Sequence, residues 1–123
     1  MSSIVRPGRP ARGSRSGRPI MVLLDLLGRR MALRVLWELS LAREPLTFRA
    51  LQTAAETNPS VLNSRLKELR AASIVEHSGA GYRLSPMGGA LVALILPLHA
   101  WAERWSEQLK HARRAAPQTP RKP

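Results

Sequence analysis

Leu46 to Ser85, LTFRALQTAAETNPSVLNSRLKELRAASIVEHSGAGYRLS in one-letter code, decides how this chain is to be read. Phe48 to Ala55 form a short helical stretch, broken by Glu56-Thr57-Asn58-Pro59. A second helix is expected from Ser60 to Ala72, with Leu62, Leu66 and Leu69 on one stripe. Ile74-Val75 and Tyr82-Arg83-Leu84-Ser85 then read as two short strands around Gly79-Ala80-Gly81. Those glycines supply the positive φ that a tight turn needs. Helix, tight turn, helix and hairpin in this order predict a mainly α fold with a small β-hairpin, a winged helix-turn-helix. Such a unit can present the outer face of its second helix to a DNA major groove.

That helix is legible residue by residue. Asn58 is a favoured N-cap and Pro59 a favoured first helical residue. With the leucines and Val61 inward, the opposite face carries Ser60, Asn63, Ser64, Lys67 and, at the far end, Arg70. Asn pairs with adenine and Ser suits several bases, whereas Lys67 is better placed for a phosphate. Asn58, Pro59, Ser60, Asn63 and Ser64 are therefore the candidates for base or nearby backbone contact. Arg49, Arg65, Lys67 and Arg83 would position the duplex, although Arg65 can instead brace the domain from inside. His77 and Ser78 stand on the hairpin, within reach of a neighbouring phosphate or minor groove. The plain alternative is an amphipathic helix with a solvated polar side.

The ordered set of motifs resembles the HxlR family of winged-helix transcription regulators, from about Pro19 to Trp105. Pro19-Ile20 with Leu23 through Gly28 and Arg30 is similar to that family's opening helix and turn. Glu38-Leu39 matches the close of its next helix, and Pro45-Leu46 with Phe48 and Leu51 the approach to the third. Val61-Leu62, Arg65-Leu66 and Glu68-Leu69 match the recognition-helix pattern. Tyr82 to Gly88 resembles the junction into the last helix, and Trp101 with Trp105 the C-terminal aromatic pair. MarR-type and PadR-type regulators share the core motif. The resemblance implies homodimeric control of nearby genes. It departs in three places. Arg18 stands where the family commonly has cysteine, Met31-Ala32 replace its Trp-Thr, and the wing is short. With no cysteine in the chain, the thiol sensing of some members is impossible here.

Charge adds two arms. Lys and Arg total 20 against 8 acidic residues, a net +12 in 123 residues, enough for one modest domain. Arg6, Arg9, Arg12, Arg15 and Arg18 precede residue 20 with no acid among them. Lys110, Arg113, Arg114, Arg121 and Lys122 close the chain. Between these groups the sequence is nearly neutral. Residues 1–19 and 110–123 therefore read as unpacked basic arms flanking a domain at 20–109. Gly8-Arg9-Pro10 and Gly17-Arg18-Pro19 partly resemble the core of an AT-hook, which lies in a narrow minor groove. A non-specific polycationic tail is the other reading, and either raises affinity through counterion release.

The outer helices carry a separate task. Ile20, Leu23, Leu24 and Leu27 fall on one side of the first. In the last, from Pro86 towards Lys110, Leu91, Leu94, Ile95, Leu98, Trp101 and Trp105 recur at three- and four-residue steps. That is more apolar surface than one small core uses. A homodimer interface at Leu23, Leu24, Leu27, Leu94, Leu98, Trp101 and Trp105 is expected, with burial in the same chain as the alternative. Pro97 is expected to kink the last helix near Leu98. Leu33, Leu36, Trp37 and Leu39 read as core on a helix from Arg34 to Leu41.

Other classes find little support. His77, His99 and His111 with scattered carboxylates form no metal or nucleophile set, so no enzyme and no cofactor are expected. Gly88-Gly89 lacks the motif of a phosphate-cradling loop. The apolar runs are too short to span a membrane. Absence of cysteine fits a reducing cytoplasm. The expected partners are double-stranded DNA and a second copy; a small-molecule effector is possible, but no residue marks a cavity for it. A nucleoid-type non-specific binder and a winged-helix protein-interaction module are the competing functions.

Overall fold

The computed structural model describes residues 6–12, 15 and 17–115. Helix α1 spans Pro19–Leu27, α2 Ala32–Leu41, α3 Phe48–Ala55 and α4 Pro59–Ala71. Strands β1, Val75–Ser78, and β2, Gly81–Leu84, pair antiparallel with Val75 opposite Leu84. Helix α5 runs from Pro86 to Ala115 and continues through Pro97. The described residues fall into two units that divide between Val92 and Ala93.

In the first unit, one core gathers an apolar stripe from each element. Leu36, Leu51, Leu62, Leu66 and Leu69 are fully buried, with Val35 beside them. Val22 and Leu26 join from α1, Val75 from β1 and Val92 from α5. One apolar stripe, that of α2, differs from expectation, and that of α1 does so in part. On α2 the buried set is Ala32, Val35, Leu36 and Leu39, while Leu33 is exposed and Trp37 half-buried. On α1 the buried set is Val22, Asp25 and Leu26, leaving Ile20 and Leu24 exposed. Helix α1 is apolar on nearly every side, so hydrophobic spacing alone does not identify its inner face. An aspartate marks that face instead. Leu27 packs on the core and Leu23 is half-buried, which removes both from a wholly solvent-facing stripe.

Part of the N-terminal segment, expected to be unpacked over 1–19, makes contacts among the described residues. Arg12 Nε binds Asp25 Oδ1 at 2.7 Å, and its Nη2 donates to the Asp25 carbonyl at 3.3 Å. The Gly8 amide donates to the Gly17 carbonyl at 2.9 Å, and Ala11 packs against the core. At the other end α5 reaches Ala115, beyond the expected boundary at 109. Residues 116–123 lie outside the described set.

In the second unit α5 exposes Leu94, Leu98, Trp101, Trp105 and Leu109 at steps of three and four, with the two indoles stacked 5.8 Å apart.

Candidate nucleic-acid interface

Helix α4 begins where the sequence says it should. Asn58 Oδ1 accepts the Val61 amide at 2.8 Å, satisfying one of the donors a helix start leaves open. Pro59 occupies the first turn, where its missing N–H costs nothing. The Asn58 oxygen is thereby used in capping, and its amide nitrogen remains to face a ligand. Helix α3 leads into this turn through Glu56, at φ 53°, and opens on Thr47, whose Oγ1 accepts the Ala50 amide at 3.1 Å.

The two sides of α4 separate cleanly. Leu62, Leu66 and Leu69 are buried, while Pro59, Ser60, Asn63, Ser64, Lys67 and Arg70 are exposed. Lys67 and Arg70 have no ion-pair partner among the described residues. Short hydroxyls and an amide near the helix start, followed by two cations, give a face whose bases-first, phosphates-later order suits a groove. Arg49 is exposed at the start of α3.

Beneath that face lies an ionic brace. Glu68 is buried on the leucine side and pairs with Arg29 and with Arg65, the latter at 2.7 Å. Arg65 Nη1 also donates to the Arg30 carbonyl at 3.1 Å. Arg29 further reaches Asp25 at 3.7 Å, so α4 is tied to the α1–α2 turn through charge. Arg65 therefore makes the bracing contacts that the sequence leaves open as its alternative role. Arg12 lowers the Asp25 carboxyl below its ordinary range by hydrogen bonding, against the opposing effect of burial, and Arg29 adds to the lowering.

The wing is a two-residue turn. Ser78 Oγ accepts the Ala80 amide at 3.2 Å, and Gly81 sits at φ +128°. A side chain on Gly81 would collide with the Leu46 carbonyl, because Leu46 pairs with Tyr82 as a further bridge. His77 stacks on Tyr82 at 4.0 Å across the strands. Arg83 pairs with Glu76 at 3.1 Å on the exposed surface, an interaction of small strength in water that a phosphate can replace.

Sequence reasoning misses Arg29, Thr47 and the inward role of Glu68. Thr47 three residues before Ala50, and Arg65 three before Glu68, are the available local signals.

A tri-helical core, a capped second helix with a polar outer face and a hairpin wing define a winged helix-turn-helix DNA-binding protein. More closely, the chain belongs to the HxlR-like helix-turn-helix family, whose model matches residues 26–110. It is a DNA-binding transcription regulator and not an enzyme, as that family is. It is similar to quinone-bound YodB of B. subtilis in a crystal structure. The two are 30% identical, with 70% of this chain and 97% of that one covered and a TM-score of 0.64. No curated protein matches the chain. Among the described residues no helix is long and apolar enough to cross a membrane.

Proposed function

We propose that this regulator acts as a homodimer on an inverted-repeat operator, each copy laying α4 in a major groove. The observation that carries the reading is the division of α4 into a buried leucine side and an exposed polar side of Ser60, Asn63, Ser64, Lys67 and Arg70. Asn58, Ser60, Asn63 and Ser64 contact bases or nearby backbone, and Arg49, Lys67 and Arg83 hold phosphates. Exposed apolar residues in each unit, Leu24 in the first and Leu94, Leu98, Trp101 and Trp105 in the second, are available to a second copy. Two-fold symmetry then sets the recognition helices about one DNA turn apart. The site of action is cytoplasmic, at the nucleoid.

The test is the Asn63→Ala, Ser64→Ala pair, titrated on the operator and on random duplex. Each lost base contact should cost about 1–3 kcal/mol on the operator and little elsewhere. Equal losses on both duplexes refute base reading. Sedimentation of the unmodified chain as a monomer at operator-saturating concentration refutes the dimer.

The quinone bound to YodB supports a small-molecule effector for this chain as well. Without cysteine no thiol adduct can form here, so binding must rest on shape and charge.

A further inference from the structure

A cavity of about 460 Å³ lies within the first unit, between α1, the end of α4 and the start of α5. Its volume is within the range of about 300–1,000 Å³ typical of small-molecule sites. The walls are apolar: Val22 and Leu23 of α1, Ala72 and Ile74 beyond α4, and Leu91 of α5. Among the described residues, Arg6 is the one charged residue lining it, and Ser73 the one other polar side chain. Among them, too, no carboxylate pairs with Arg6. An apolar cleft, partly open to solvent, with one unpaired guanidinium at its exposed edge is suited to a ligand with a hydrophobic body and a single anionic head.

We propose that this cavity binds a small aromatic carboxylate, its ring among Val22, Leu23, Ile74 and Leu91 and its carboxylate on Arg6. A second copy of the chain fits the cavity less well. The chain carries 20 basic residues against 8 acidic ones, so a neighbour offers Arg6 little negative charge. The cavity also touches the machinery of α4. Ala71 and Ala72 end the helix, and Ser73 follows in the left-handed conformation at φ 61°. Ile74, on the same wall, donates its amide to the Leu69 carbonyl of α4 at 2.9 Å and receives the Ser85 amide at 3.0 Å. A filled cleft thus bears on the segment that fixes both the recognition helix and the hairpin. The consequence for DNA binding rests on the regulator reading above, whereas the site does not.

The experiment is calorimetric titration of the full chain, without DNA, by 2-naphthoate and by neutral 2-naphthamide. One naphthoate should bind per chain, about tenfold tighter than the amide. Arg6→Gln should erase that preference, and Leu23→Trp, which fills the cleft, should abolish both. Should Leu23→Trp fail to fold, Met87→Trp at the same lining provides the block. Equal affinity for acid and amide, a preference that survives Arg6→Gln, or no binding because a second copy fills the cavity would each overturn the site. With binding established, naphthoate should change operator affinity about fivefold or more. Unchanged operator affinity overturns the regulatory consequence alone, and absence of operator preference in the unliganded chain is failure of the regulator reading instead.

Discussion

Two adjacent glycines make opposite demands on the same helix. A Cβ on Gly88 would run into the carbonyl oxygen and carbon of Ile74, both backbone atoms with little room to yield. The same atom on Gly89 would meet nothing within 4 Å. Gly88→Ala should therefore cost about 1–3 kcal/mol of unfolding free energy, while Gly89→Ala should gain up to about 1 kcal/mol from helix propensity. Urea denaturation of both variants checks the pair, and equal effects would contradict the close approach of α5 to Ile74. Asp25 supports a prediction in pH. Its carboxyl titrates lower in the folded chain, chiefly through the Arg12 hydrogen bond, than in the unfolded one. The stability it contributes is thus complete above the unfolded value of about 3.9 and disappears as pH falls through the lower folded value. Thermal melts in a pH series should show a steeper acid loss for the native chain than for Asp25→Asn. Coincident slopes would mean that the Arg12 contact contributes nothing.

At the level of elements, the start of α4 is legible in the sequence and its surroundings less so. Asn58-Pro59 announces the helix by local chemistry, and three leucines at helical spacing announce which side is inner. No tertiary knowledge is needed for either, which is why the polar face is readable in full from Ser60 to Arg70. The role of Arg65 depends on Glu68, three residues on, and on Arg30, distant in sequence, so its spacing on α4 leaves bracing and DNA contact both open. The sequence places the beginning of α2 at Arg34 rather than Ala32 because Met31 caps it in a left-handed conformation with no capping side chain. The C-terminal end of α4 has a similar disguise. Ser73 at φ 61° and the Ile74-to-Leu69 bond complete a motif in which glycine is the usual occupant. Replacing Ser73 by glycine relieves the left-handed cost and should stabilise the chain by about 1 kcal/mol. A lower urea midpoint for Ser73→Gly would show that the serine side chain outweighs that relief.

Across the whole molecule, most of the net charge is carried by the ends, while the proposed recognition face lies in the middle. Residues 20–109 hold nearly balanced charges, so on the proposed reading the flanks should supply much of the counterion release from DNA. The arm's arginines are unequal in this respect. Arg12 is committed to Asp25, whereas Arg9 and Arg15 are exposed with no ion pair among the described residues. For each phosphate contact removed, the dependence of log affinity on log salt should flatten by about 0.9. Arg9→Gln with Arg15→Gln should therefore flatten the slope by up to about 1.8 and weaken binding equally on operator and random duplex. Arg12→Gln should flatten it less and instead lower the melting temperature, because the side chain already has a partner. Fluorescence anisotropy between low and moderate salt measures the slopes on both duplexes. A double variant with the native slope would remove the arm from the DNA-bound state. A loss confined to the operator would instead give these arginines a part in sequence recognition, as an arm lying in a minor groove requires.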